Sequence, residues 1–88
     1  MQEKQFVIQD AAGLHARPAE ILVSRLQHYP CGIRMAKGTR SVNGKDLMAV
    51  MSLGVRKGET LQVMMEGEQE QEAMAALEAA MTECGLIR

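Results

Sequence analysis

Hydrophobic and polar residues alternate with a period of two in four short segments of this chain. Near the start, Phe6 and Ile8 fall on one side and Val7 on the other, which is typical of a half-buried strand. A Lys-Gly-Thr turn at 37–39 separates two of the segments, which are therefore predicted to form a hairpin. The pattern predicts strands at 3–8, 33–37, 40–42 and 60–65.

A helical period governs three further segments. Ala19, Leu22, Val23 and Leu26 recur at i, i+3, i+4 and i+7, which makes one apolar stripe on a helix. The last helix has its own stripe, formed by Ala73, Met74, Leu77, Met81 and Cys84, and is followed by Gly85 as the predicted C′ residue. Helices are predicted at 16–27, 47–53 and 69–84.

The resulting order, β-α-β-β-α-β-α, predicts an α/β (α+β) two-layer sandwich. Its sheet would have four mostly antiparallel strands, with the three helices on one face. No linker, repeat or low-complexity tract divides the chain, so residues 1–88 are expected to form a single domain. A chain of 88 residues buries only about 60–65% of its unfolded surface. Chemistry is therefore expected at the surface, on a loop or at the end of an element.

Charge and composition narrow the possible functions. Ten basic and eleven acidic residues leave a net charge of −1, which argues against nucleic-acid binding because that requires a basic face. One Phe, one Tyr and no Trp offer no platform for stacking bases. The opening MQEKQFVIQ lacks the apolar run of a signal peptide, and no segment approaches membrane-spanning length. We therefore expect a cytoplasmic protein.

The two cysteines, Cys31 and Cys84, form neither a zinc pattern nor a CxxC pair. We interpret Cys84 as a small buried hydrophobic residue and Cys31 as a loop thiol. The sequence leaves a disulfide between them open.

The segment GLHARPA at 13–19 carries the candidate chemistry. His15 stands directly before the first helix, whose first backbone N–H groups, that of Ala16 among them, have no partner within the helix. Such groups carry partial positive charge and bind anions. Arg17 adds a permanent charge with forked donors that fit phosphate oxygens. Pro18 suits the first turn, where its missing N–H would have no partner in any case.

A histidine in this position could act as a nucleophile. The reference pKa of the side chain is about 6.5, so much of it is neutral near pH 7. The positive start of the helix would favour the neutral ring and then stabilise the anion formed by phosphoryl transfer. No metal ligands cluster near His15 in the sequence.

The residues alone leave other interpretations open. His15 could equally be an ordinary residue of a loop before a helix. On spacing alone, Arg17 is better explained as a solvated charge, and Pro18 can be a simple marker of the helix start. His28, near the end of the first helix, is better explained as a C-terminal cap or an exposed residue.

The segment at 13–19 resembles the active-site signature of the HPr family, and SVNGKDLMAVMSLG at 41–54 is similar to that family's second helix and its approach. The resemblance covers essentially the whole chain. It implies an open-faced β-sandwich in which phospho-enzyme I, charged from phosphoenolpyruvate, phosphorylates His15 on Nδ1. His15 would then pass the phosphoryl group to the A domains of sugar permeases in the sugar phosphotransferase system. The resemblance thus implies a carrier that is consumed and regenerated as a co-substrate. We expect it to need no cofactor and no metal and to be a monomer, while the sequence leaves dimerisation open.

A carrier needs a docking surface beside its reactive atom. Four residues of the first helix, Arg17, Glu20, Ile21 and Ser24, lie away from the core stripe, and on the short helix Val50 and Leu53 are predicted to face the core. An apolar patch beside a charged site suits transient partners, and flexible Met suits several of them. The alternative is that the methionines only complete a small core. The predicted docking residues are Glu20, Ile21, Ser24, Leu47, Met48 and Met51.

Position 46 departs from the family. Many relatives have a serine there, which a dedicated kinase phosphorylates for carbon catabolite regulation, whereas this chain has Asp46. Asp is a good N-cap for a helix starting at Leu47. It could also provide a fixed negative charge that partly mimics the phosphate.

Three classes of function compete. The phosphoryl carrier is favoured because His15, Arg17 and Pro18 occur together. A regulatory module, which docks a transcriptional regulator or an enzyme without carrying phosphate, gains some support from Asp46. A small hydrolase or nucleic-acid-binding domain ranks far behind, because the chain has no basic face and no second catalytic group in reach.

Overall fold

A computed structural model describes all 88 residues. The predicted order β-α-β-β-α-β-α is confirmed. The elements are β1 (Gln2–Val7), α1 (Ala16–Leu26), β2 (Gly32–Lys37), β3 (Arg40–Asn43), α2 (Leu47–Ser52), β4 (Thr60–Glu66) and α3 (Glu70–Glu83). No boundary differs from the predicted one by more than one residue. At the start of α3, for example, Gln69 adopts a left-handed φ of 65° and so precedes the helix.

The four strands form one sheet in the order β1-β4-β2-β3, and every neighbouring pair is antiparallel. The register places Phe6 opposite Leu61, and Val63 opposite Met35. Because side chains alternate across a strand, these buried residues share one face of the sheet. All three helices cover that face, and the other face is open to solvent, as predicted for this fold class.

A single cluster of 22 buried residues fills the space between the sheet and the helices. The predicted stripe of α1 is confirmed, since Ala19, Leu22, Val23 and Leu26 are all buried. On α3 the buried set includes Ala80 in addition to four predicted residues, whereas Cys84 is only half-buried. None of the three helices is both long enough and apolar enough to cross a bilayer.

The end of α3 shows the predicted role of Gly85. This residue has a φ of 74°, and its N–H donates to the carbonyl of Thr82 while the N–H of Leu86 donates to that of Met81. These two bonds make a Schellman motif. The carbonyl of Leu86 in turn accepts from the N–H of Gln9 at 2.7 Å, so the C-terminal segment is tied to the loop that follows β1.

The interpretation of the cysteines was wrong. Cys31 is 1% exposed and belongs to the core, whereas Cys84 is the partly exposed one. Cys31 lies beside Gly67, just ahead of α3, and Cys84 caps the far end of that helix. A helix of 14 residues spans roughly 20 Å. Both thiols are free, and their separation rules out a disulfide within the chain.

Candidate functional site around His15

The loop between β1 and α1 is built around Asp10. The carbonyl of Asp10 accepts from the N–H of Gly13 at 2.8 Å, and its side-chain Oδ1 accepts from the N–H of Ala12, also at 2.8 Å. Leu14 is buried, and its N–H donates to the carbonyl of Val55 at 2.9 Å. The backbone leading to His15 is therefore held at several points within five residues of the ring.

Gly13 makes the closest approach in this loop. Its φ is +68°, and a Cβ built on it would lie 2.5 Å from the carbonyl oxygen of Val55 and 2.9 Å from the Cα of Arg56. Both the left-handed backbone and the contact require a residue without a side chain. The segment on the other side of this contact is itself fixed by Glu59.

Glu59 closes the turn before β4. Its Oε1 accepts from Lys37 Nζ at 2.9 Å and from the N–H of Arg56 at 2.7 Å. The Lys37 ammonium first, and the Arg56 amide second, hold the pKa of Glu59 below its ordinary value of 4.5. The Glu59 carboxylate therefore fixes the backbone at Arg56, which is part of the segment against which Gly13 packs.

His15 is the N-cap residue of α1 and has an extended backbone, with φ −92° and ψ −177°. Its carbonyl accepts from the N–H of Ala19 at 3.1 Å, while its ring makes no capping hydrogen bond. The side chain is 43% exposed. The ring is thus free to react with a molecule that approaches from solvent.

At the start of α1, backbone N–H groups beside the His15 ring are left without an acceptor. The N–H groups of Ala16 and Arg17 have no acceptor within the protein, and Pro18 has no N–H. The first turn carries no acidic residue that would neutralise them. Together with the exposed guanidinium of Arg17, these groups create the electropositive helix start expected from the sequence.

Two shallow hollows lie on either side of Arg17 and Ile21, and the first of them is lined by His15. The first, of about 310 Å³, is lined by Asp10, His15, Arg17, Pro18, Ile21, Glu83 and Cys84. The second, of about 470 Å³, is lined by Arg17, Glu20, Ile21, Ser24 and Arg25. Arg17 and Ile21 line both, so the three docking residues predicted on α1 form one surface with the site. The predicted exposure of Ile21 is confirmed at 36%.

Sequence reasoning missed Asp10, Glu83 and Cys84. Asp10 Oδ2 lies 3.7 Å from Nε2 of His15. Glu83 is paired with Arg25 at 2.7 Å, which joins α3 to α1. The Asp-Ala-Ala-Gly turn could have identified Asp10 as a turn-forming residue, but not its proximity to the ring. Glu83 and Cys84 reach the site only through the packing of α3, for which a local pattern gives no signal.

On α2 the predicted core positions are confirmed, whereas Met51, which was predicted to reach the surface, packs half-buried against the core. Val50 and Leu53 are buried, Leu47 and Met51 are half-buried, and Met48 is 75% exposed. Two hydrogen bonds join the end of α1 to the approach of α2. Gln27 Nε2 donates to the carbonyl of Lys45, and Lys45 Nζ donates to that of Tyr29. The two helices that carry the predicted docking residues are therefore held in a definite arrangement.

Asp46 is the N-cap of α2, as predicted. Its Oδ1 accepts from the N–H of Ala49 at 3.2 Å, which is the usual bond from an N-cap to the third helical residue. Its side chain is exposed, so the same carboxylate also places a negative charge at the surface.

The fold is that of solved histidine-containing phosphocarrier proteins. A solved structure of the histidine-containing phosphocarrier protein from Mycoplasma superposes with a TM-score of 0.95 at 26% identity, covering 99% of each chain. A crystal structure of Crh, the catabolite repression protein of Bacillus subtilis, superposes with a TM-score of 0.73 at 32% identity, covering 94% of this chain and 95% of that one.

The family follows from the sequence matches. The family model described as the PTS HPr component phosphorylation site matches residues 2–83. The phosphocarrier protein HPr of Lysinibacillus sphaericus is 35% identical over 88 residues, which is the full length of both proteins. This chain belongs to the HPr family of the phosphotransferase system.

Proposed function

We propose that this protein carries a phosphoryl group on Nδ1 of His15, accepting it from phospho-enzyme I and donating it to the A domains of sugar permeases. The supporting observation is the exposed His15 ring at the N-cap of α1, beside the free N–H groups of Ala16 and Arg17. Membership of a phosphocarrier family agrees with this role. The protein would act in the cytoplasm as a single-domain monomer, regenerated in each cycle.

The chemistry requires a nucleophile and a place for negative charge. The lone pair of Nδ1 attacks phosphorus, and the bond to the donor breaks with its electron pair remaining on the donor. The negative oxygens of the phosphoryl group then accept from the two free N–H groups and from the guanidinium of Arg17. Pro18 supports this arrangement because its ring fixes the backbone of the first helical turn. It has no N–H of its own that would need a partner there.

The docking surface would extend from the site along α1 and onto α2. Glu20, Ile21 and Ser24 line the hollow next to Arg17. Met48 projects from α2, and Leu47 and Met51 lie half-buried beside it. A patch of this kind, apolar and flanked by charge, suits partners that bind briefly and leave.

The test is a phosphotransfer assay with enzyme I and phosphoenolpyruvate. The wild-type protein should acquire an acid-labile, base-stable phosphate. The His15→Ala variant should acquire none. The His28→Ala variant should behave as wild type, because His28 is the only other histidine and lies near the opposite end of α1. Labelling of His15→Ala, or no labelling of the wild type, would contradict the proposal.

A regulatory module is the second candidate, and Asp46 favours it. The similarity to Crh, a catabolite repression protein of Bacillus subtilis, points the same way. Such a module would bind a regulator without accepting phosphate from enzyme I. Absence of label on an intact wild-type protein, together with binding to a partner, would therefore favour this candidate over the carrier.

A further inference from the structure

We propose that Asp10 is a positioning residue for His15. Its carboxylate holds the Nε2 side of the ring, so that Nδ1 carries the lone pair that attacks phosphorus. This role rests on the carrier function proposed above. The observation behind it is the 3.7 Å separation between Asp10 Oδ2 and His15 Nε2, which is longer than a hydrogen bond but short enough for the negative charge to act on that ring nitrogen.

The two oxygens of Asp10 serve different groups. Oδ1 accepts from the N–H of Ala12 at 2.8 Å, and the Asp10 carbonyl accepts from the N–H of Gly13 at the same distance. The carboxylate is therefore fixed by the backbone of the turn, and Oδ2 is the oxygen left facing the ring. The Asp10 side chain is only 26% exposed, against 43% for His15.

Asp10 is the acid that reaches this ring. Glu83 lines the same hollow, but its carboxylate is paired with Arg25 at 2.7 Å. Asp10 is the only acidic residue with a carboxylate oxygen within 4.0 Å of a ring nitrogen of His15. The position of one carboxylate thus distinguishes the two ring nitrogens.

A carboxylate only accepts hydrogen bonds, and a neutral imidazole has one N–H and one lone pair. Because a nearby negative charge favours an N–H over a lone pair directed at it, the nitrogen that faces Asp10 is the one that keeps the proton. The proton stays on Nε2, and Nδ1 is the nucleophile. In enzymes, a carboxylate that is hydrogen-bonded to a reactive histidine selects its tautomer.

The transfer step balances without a proton leaving the ring. Nδ1 forms the bond to phosphorus, the donor keeps the electron pair of the bond that breaks, and Nε2 retains its hydrogen. The phosphorylated ring is then a cation, which the fixed carboxylate of Asp10 stabilises. Because both side chains are partly exposed, the effect on rate is moderate, roughly two- to fivefold.

The decisive variant is Asp10→Asn. It keeps the size of the side chain, and its amide oxygen can still accept from the N–H of Ala12. Its NH₂ group would then face Nε2 as a donor, which favours the opposite tautomer. The ¹⁵N shifts of the His15 ring, measured at a pH high enough that they no longer change with pH, should show hydrogen on Nε2 in the wild type and a shift toward Nδ1–H in Asp10→Asn. Phosphoryl uptake from phospho-enzyme I should slow by roughly two- to fivefold.

Two further variants complete the test. Asp10→Ser keeps an acceptor for the turn but removes the carboxylate, and should give tautomer populations between the other two. Glu78→Gln removes the same unit of charge from α3, where Glu78 pairs with Lys4 away from the hollow, and should change neither the ¹⁵N shifts nor the uptake rate.

The outcomes separate this role from the carrier function. Unchanged ¹⁵N shifts in folded Asp10→Asn and Asp10→Ser would overturn the role of Asp10, even with His15 fully phosphorylated. A wild-type protein that never accepts phosphate would overturn the carrier function, while the tautomer measurement would still show whether Asp10 controls the ring. A slower rate in Glu78→Gln would also overturn the proposal, because net charge would then explain the change.

Discussion

Gly13, before α1, and Asp46, before α2, each make a specific contact with the backbone of another residue. Gly13 lies against the backbone of Val55 and Arg56, and Asp46 accepts a hydrogen bond from Ala49. In both cases the role of the residue depends on its chemical type. Substitutions at these positions should therefore have effects that differ from those of ordinary surface changes.

The Gly13→Ala variant should be destabilised by about 2–5 kcal/mol. This estimate combines a left-handed backbone penalty of about 1–2 kcal/mol with overpacking of about 1–3 kcal/mol. Gly38→Ala is the matched control, because Gly38 also has a positive φ, +60°, but has no atom within 4 Å of a Cβ built on it. Urea unfolding of the two variants should show the larger loss for Gly13→Ala. Equal losses would mean that the contact with Val55 has no energetic importance.

At position 46 the capping role can be separated from a regulatory one. Asp46→Ser should stay within about 0.5 kcal/mol of wild type in a denaturant titration, whereas Asp46→Ala should lose about 1 kcal/mol, because serine caps a helix and alanine does not. If the fixed charge slows uptake from enzyme I, both variants should accept phosphate faster than wild type. The serine kinase of the family should leave the wild-type position unmodified. Equal uptake rates for the three proteins would leave Asp46 as a helix cap only.

At the level of elements, contacts between residues far apart in the sequence join the end of one element to the turn or segment beside another. The turn before β4 is linked to the end of β2 by Glu59 and Lys37, and Lys37 also donates to the carbonyl of Gly54 at 3.0 Å after α2. The loop before α1 packs against this same turn through Gly13. The position of His15 therefore depends on contacts between β2, β4 and the segment that follows α2.

The Glu59 contact should appear in the pH dependence of stability. The Lys37 ammonium and the Arg56 amide lower the pKa of Glu59 in the folded protein, so the folded state binds this proton less readily than the unfolded chain. Its contribution is then fully present above the ordinary value of 4.5 and is lost as the pH falls through the lower folded value.

Thermal unfolding of Glu59→Gln should accordingly show a lower Tm than wild type near neutral pH, and the difference should shrink as the solution is acidified below about pH 4. Glu68→Gln serves as the control, since Glu68 is exposed and makes no ion pair or hydrogen bond. A difference between Glu59→Gln and wild type that is the same at every pH would show that the ion pair is not its cause.

At the scale of the whole molecule, the two faces of the sheet differ in what covers them. The helices cover one face and carry His15 and the predicted docking residues, while the other face is open. Exposed apolar residues occur on both sides, with Met48 on α2 and Val7 on the open face of β1. These two residues allow the docking proposal to be tested with matched changes.

Replacement of Met48 by glutamine should raise the KM for transfer from phospho-enzyme I by roughly fivefold, the effect of an interface residue worth about 1 kcal/mol. Stability should change by no more than about 0.5 kcal/mol, because Met48 is exposed. Val7→Thr removes an exposed apolar group from the opposite face and should leave the KM unchanged. If the two variants gave equal KM values, α2 would not belong to the docking surface.

The elements and much of the candidate site were predictable because they depend on short-range information. Strands and helices follow from periods of two and 3.6, which are set by the geometry of the backbone. The same applies to the N-cap at Asp46, to Gly85 at the end of α3 and to His15 at the start of α1, since each depends on residues within one turn of it. The sequence also indicated the family, since two motifs stand at their usual spacing.

Only the tertiary structure decided which distant residues meet. The strand order β1-β4-β2-β3 places the first strand beside the fourth, and the packing of α3 brings Glu83 and Cys84 to a hollow shared with His15. Cys31 was misjudged for the same reason, since its burial depends on Gly67 far along the chain. Local propensity determines where a helix or strand begins, but contacts between residues far apart depend on how the apolar faces of all the elements fit around one core.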